Sequence, residues 1–261
     1  MATLLANAGL YLRKMNPGIP ETQGESKVIA AWFVDPGRTA LEFVLSLVWL
    51  AHFLWAGTAC LTDWTYDPKA LRELDSIDVI VGMVIAVHII TITYYKVTTN
   101  RTWFLLQPCN IWVFGLTFLH FSRSAAATWL FNMYLHLMFG SWVGLLGADL
   151  RDYTNPIEII NFFTLHFAII LAPVYHIVRG TFPVYSADIY GCGTIMIMYH
   201  MVCCLPLSIL SGWNLDYVMC PPKQIVKLGQ NYRWVFFPSM YLGCMIVRLG
   251  LVSALLWLLG R

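Results

Sequence analysis

Seven apolar stretches, each long enough to cross a bilayer, occupy most of this 261-residue chain. A hydrocarbon core of about 30 Å takes roughly 20 apolar residues at about 1.5 Å each. On that criterion the sequence predicts helices over 39–62, 77–95, 103–121, 125–147, 157–178, 188–211 and 234–259. Backbone N–H and C=O groups at such depths meet no water, so each segment must pair its own, which selects helix. The expected fold is all-α: a polytopic integral membrane helical bundle of about seven transmembrane helices. Hydrophobic residues make up 59% of the chain and charged residues 11%, too few charges to clothe a water-facing surface. Ser122-Arg123-Ser124 leaves room only for a tight hairpin between the third and fourth helices.

Arg and Lys set the expected orientation. Ten lie on the side of the N-terminus: Arg13, Lys14, Lys27, Arg38, Lys96, Arg101, Arg151, Lys223, Lys227 and Arg233. Lys69, Arg72, Arg123, Arg179 and Arg261 lie on the other. This asymmetry predicts a cytosolic N-terminus and a C-terminus outside or in the lumen. Residues 1–38 read as a loose cytosolic leader, with Leu4 to Leu12 too short to span and suited to the interface. Residues 39–261 then form one seven-span membrane domain, and 212–233 is the loop with room for structure of its own. A net charge of +2 without a basic run gives no nucleic-acid signal, and protein partners are not legible.

Function must reside in the few polar groups inside the spans, where each is costly. Of seven cysteines, Cys60, Cys192, Cys203, Cys204 and Cys244 read as small packing residues. His200 and Cys204 share a helix face, which in principle suits a metal, although ordinary packing is the simpler reading. Cys109 differs: it follows Pro108, which interrupts helical bonding, and polar Gln107 and Asn110 flank it. A nucleophilic thiol there needs a base. Counted from the N-terminal side, Cys109 falls about 9 Å deep, His166 about 14 Å and the rival His88 about 10 Å. His136 and His200 fall nearer the midplane, while His120 and His176 lie near span ends and suit interfacial roles. Arg248 suits an acidic partner, a lipid phosphate or snorkelling, and Asn132 with His136 at i, i+4 reads as a self-satisfied pair.

Spacing weakens several other chemistries. The helical zinc-hydrolase motifs His-x3-His and His-Glu-x2-His do not occur, nor does the serine elbow Gly-x-Ser-x-Gly. Paired axial histidines for haem show no common spacing. No metal or other cofactor is expected.

Three segments resemble the transmembrane protein 164 family of multi-span membrane proteins. They are Leu105-Leu106-Gln107-Pro108-Cys109-Asn110, then Ile159 to His166 continuing to Ala172-Pro173-Val174-Tyr175, then Tyr199-His200 followed by Trp213-Asn214-Leu215-Asp216-Tyr217-Val218-Met219-Cys220-Pro221. Their order and separation fit over roughly residues 40–260, and the loop after Trp213 is the most specific piece. The resemblance implies a cysteine-centred acyltransferase that moves polyunsaturated acyl chains, notably arachidonoyl, from phosphatidylcholine onto lyso ether phospholipids. It implies Cys109 as nucleophile and His166 as its partner, in the endoplasmic reticulum or Golgi. Gln107, Asn110, Asn132, His200 and Asn214 are the accompanying candidates for substrate or oxyanion contacts. A more distant similarity to androgen-induced membrane hydrolases keeps lipid hydrolysis open. A seven-span transporter, receptor or scaffold that needs no nucleophile is the alternative of another class.

Overall fold

The computed structural model describes residues 2–15, 19, 30–60, 66–150, 153 and 155–260, without the side chains of residues 2, 5 and 58–60. The described chain is helical: α1 (Ala2–Met15), α2 (Pro36–Cys60), α3 (Ser76–Thr98), α4 (Pro108–Phe121), α5 (Ala125–Leu137), α6 (Phe139–Leu146) and α7 (Pro156–Arg179) come first. Then follow α8 (Ile189–Ile197), α9 (Leu205–Ser211), α10 (Tyr232–Ile246) and α11 (Ser253–Leu258). A π-helical stretch, Met198–Cys204, joins α8 to α9, and another, Val247–Val252, joins α10 to α11. Five helical runs are long and apolar enough to cross a membrane, and α4 is a shorter apolar helix. The α5–α6 pair, broken at Met138, covers the remaining predicted stretch. Outward-facing Ile80, Val84, Val87 and Ile90 on α3 form the apolar stripe that lipid solvates.

Two expectations change. The third helix starts at Pro108, not at 103, because proline lacks the N–H and favours the first helical position. Thr102–Leu106 forms a 3-10 turn instead. The leader is not loose where it is described: α1 is helical, and Ala30, Ala31, Trp32 and Val34 are buried. Lys27, Arg151, Arg261 and the Cys60 side chain lie outside the described residues.

The chain divides into two compact units. The first comprises residues 1–59, 149–153 and 193–241. In it Asp35 caps α2 by accepting from the N–H groups of Gly37 and Arg38. Ala30 N–H donates to the Gly212 carbonyl at 2.9 Å. Arg233 donates to Glu42, Thr39 and the Val218 carbonyl, tying α10 to α2 and to the 212–222 loop.

The second unit comprises residues 60–148, 154–192 and 242–261. Its core gathers Val113, Leu116 and Leu119 of α4, Phe131, Tyr134 and Leu135 of α5, and Leu165 and Ile169 of α7. Asp75 opens α3 through a capping box with Asp78. Asp78 is fully buried and accepts from Arg123 at 2.6 Å and from the Tyr175 hydroxyl at 2.7 Å. Asp75 accepts from Arg72 and Arg179.

Candidate functional site

Cys109 occupies the first turn of α4, one residue after the proline that starts it, and is half-buried. The turn before it is closed by Asn110, whose Nδ2 donates to the Phe104 carbonyl at 2.6 Å. That carbonyl also accepts from Gln107 N–H at 3.2 Å, so one acceptor fixes both residues beside the thiol. Cys109 packs on the core cluster that contains Val113 on its own helix and Leu165 on α7. Helices α4 and α7 lie against each other. The structure therefore brings Cys109 and His166 onto adjoining helices bordering one cluster. This replaces the count of depths from residue 103, since no helix begins there.

His166 is buried, and its Nδ1 lies 2.6 Å from the Phe162 carbonyl. A carbonyl only accepts, so Nδ1 carries the proton and the neutral ring keeps its lone pair on Nε2. The Phe162 ring lies against the imidazole with centroids 4.2 Å apart. On the other side is Gly144 of α6, where an added Cβ would stand 2.6 Å from both Cδ2 and Nε2 of His166. Only glycine leaves the imidazole that space. Gly144 is thus a residue of the site that the sequence alone did not indicate.

Charges collect at the same end of the unit. Arg101 Nη1 donates to both Glu158 carboxylate oxygens, at 2.6 and 2.7 Å. Arg101 N–H donates to the Lys96 carbonyl at 2.7 Å. The Lys96 side chain is buried, with its ammonium 5.6 Å from the Phe104 ring centre. A helix N-terminus and an ammonium both favour negative charge. His88, the rival base, is half-buried on α3 and neighbours Asn161 on α7.

The other candidates have commitments of their own. Asn132 donates to the Thr128 and Pro183 carbonyls and accepts from Tyr185 N–H, so it anchors a loop and does not pair with His136. Asn214, in the first unit, is buried and accepts from Met219 and Cys220 N–H while donating to the Cys220 carbonyl. It holds the loop closed. His200, also in the first unit, has Nδ1 2.8 Å from the Met196 carbonyl and Nε2 2.6 Å from Asp216. Asp216 and Tyr217 both adopt left-handed backbone, φ 50° and 58°, to present that carboxylate. Gln107 remains beside Cys109, its carbonyl accepting from the first-turn N–H groups of Asn110 and Ile111 at 2.9 and 3.1 Å.

Two further readings change, those of the span-end histidines and of Arg248. His120 and His176 are fully buried, not interfacial, with ring centroids 4.6 Å apart, because Asp78, Arg123 and Phe182 cover that end. Arg248 does not snorkel: it is buried and donates to the Tyr185 carbonyl, which its π-helical stretch lets it reach. Cys220 packs as a small side chain, its Sγ accepting from Ala31 N–H at 3.1 Å. No cluster of three or more metal-ligating side chains occurs among the described residues.

Helices of this length and polarity, with their polar groups turned inward, define a multi-pass integral membrane protein. Comparison with known proteins narrows the class. The TMEM164 family model matches residues 35–251, and the chain belongs to that family. A transmembrane protein 164 homologue from Dictyostelium discoideum is 26% identical over 160 residues, covering 55% of this chain and 54% of its own length. The chain thus matches about half the length of that relative. No solved structure matches.

Proposed function

We propose that this protein is a cysteine-dependent phospholipid acyltransferase that carries an acyl chain on Cys109. The observation that supports it most is the setting of His166. Its Nδ1–H is tied to the Phe162 carbonyl, its basic Nε2 lies against Gly144, and its helix adjoins the one that Cys109 opens.

In the first half-reaction His166 Nε2 takes the thiol proton as Cys109 Sγ attacks the donor ester carbonyl. The tetrahedral oxyanion is held by the side-chain amide of Gln107, beside the thiol. Collapse breaks the C–O bond, and the proton on His166 passes to the departing alkoxide, releasing lysophospholipid and leaving a thioester. In the second, His166 removes the proton from a lysolipid hydroxyl, which attacks the thioester. The thiolate leaves, is reprotonated, and a new ester is released. Water must be excluded, since it would turn transfer into hydrolysis, and a site among membrane helices achieves this.

The donor is phosphatidylcholine, the acceptor a lyso ether phospholipid and the preferred chain polyunsaturated, on the strength of the family. The N-terminus faces the cytosol, as the Arg and Lys distribution favours, and the membrane is that of the endoplasmic reticulum or Golgi. The test is transfer of labelled arachidonoyl from phosphatidylcholine to a lyso ether phospholipid by the purified protein. Cys109→Ala and His166→Ala should each abolish it while His88→Ala retains it. Release of free fatty acid instead would make the protein a lipid hydrolase. Equal activity of Cys109→Ala and wild type would refute the nucleophile.

A further inference from the structure

The first unit contains a groove that the chemistry at Cys109 does not use. It encloses about 320 Å³ between α2, the α8 region with its π-helical stretch, and the start of α10. Along α2 it runs from Glu42 to Phe53, about 16 Å by helix rise. That is about half of a ~30 Å hydrocarbon core, the depth of one leaflet.

Its polarity follows a leaflet as well. At one end stand Glu42 and Arg233, paired at 2.8 Å, with Arg38 on the second Glu42 oxygen at 2.9 Å. The opposite end is closed by Phe53 and Tyr241, ring centroids 6.0 Å apart. Glu42, Ser46, His200 and Arg233 on the wall are already engaged. Arg233 binds Glu42, Thr39 and a carbonyl, Ser46 donates to its own helix at 2.8 Å, and His200 faces Asp216. Such a wall, mostly apolar along its length, favours hydrocarbon over a polar ligand. Met196 and Met201 add a surface that adapts to a flexible chain.

We infer that this groove holds one acyl chain of a membrane phospholipid, its ester end at Glu42–Arg233 and its methyl end against Phe53. Phe53 sets the length of chain that fits. Its ring lies on Gly193, where an added Cβ would come within 2.9 Å of it. A side chain at 193 therefore drives the ring into the groove, and removing the ring lengthens the groove. The inference rests on membrane placement and on the first unit alone, and is independent of the transferase reading.

The experiment uses the full chain in phosphatidylcholine vesicles doped with phosphatidylcholine that carries a diazirine near the end of one acyl chain. After irradiation, adducts are mapped by peptide mass spectrometry. Labelling should concentrate on Phe53, Trp49 and Phe237 and be unchanged in Cys109→Ala. Gly193→Val should reduce it at least fivefold, and Gly193→Val with Phe53→Ala should restore it, which separates a blocked groove from a misfolded protein. Adducts spread evenly over lipid-facing residues such as Ile80 and Ile90 would overturn the inference. So would labelling that Gly193→Val leaves unchanged, or that a diazirine fatty acid gives and the phospholipid does not.

Discussion

At Gly144 the absence of a side chain lets the Cδ2–Nε2 edge of the His166 imidazole come close to α6. Gly144→Ala should push the ring off line and cut acyl transfer by tenfold or more, as displacements of about 1 Å do in positioned sites. Because His166 is the side that moves, the thermal midpoint in detergent should change little. A variant of full activity would show that His166 needs no such constraint. Asn214 carries the opposite kind of role. Its amide makes three hydrogen bonds inside a buried loop, and Asn214→Ala leaves the N–H groups of Met219 and Cys220 unpaired. The expected cost is about 3 kcal/mol, read as a lower unfolding midpoint. Cys220 supplies a pH test. Burial pushes its thiol up to about 11 from an ordinary 9.0, so it stays protonated at pH 8. The folded state prefers the protonated thiol, so this contribution to stability is complete below pH 9 and is lost as pH rises toward 11. Maleimide at pH 8 should label Cys109 and spare Cys220 in the folded protein; equal labelling would contradict the burial of the 220 thiol.

At the scale of elements, the apolar runs were legible because lipid imposes one simple rule on length and polarity. Their ends were less so. In sequence Pro108 looks like a break within a helix, yet it is where the helix begins, and Asn110 takes the carbonyl of the preceding turn. The break at Met138 left no mark in hydropathy. Cys109 and His166 stood out as residues, whereas Gly144 could not, since its role depends on which helices adjoin. Asp78 was hidden for the same reason: its partners Arg72, Arg123 and Tyr175 come from different parts of the chain. Asp78→Ala should leave Arg123 without its carboxylate, Arg72 keeping Asp75, and destabilise the second unit by about 3–5 kcal/mol. Thermal unfolding in detergent measures it, and an unchanged midpoint would mean that lipid headgroups or water replace the carboxylate.

For the whole molecule, membership of the TMEM164 family agrees with a multi-pass helical chain whose matched region runs from residue 35 to 251, across both units. The sequence therefore conveys the membrane class directly, through composition, whereas the proposed chemistry rests mainly on the family resemblance, with Cys109 and His166 as the residues that would carry it. The central claim concerns one bond, a thioester on Cys109. The direct measurement is intact-protein mass spectrometry after brief incubation with arachidonoyl phosphatidylcholine, without acceptor, followed by hydroxylamine. Wild type should gain one arachidonoyl group, removed by hydroxylamine and by lyso ether phospholipid, and Cys109→Ala none. An unmodified wild type that still transfers acyl chains, or an adduct that persists in Cys109→Ala, would contradict that claim.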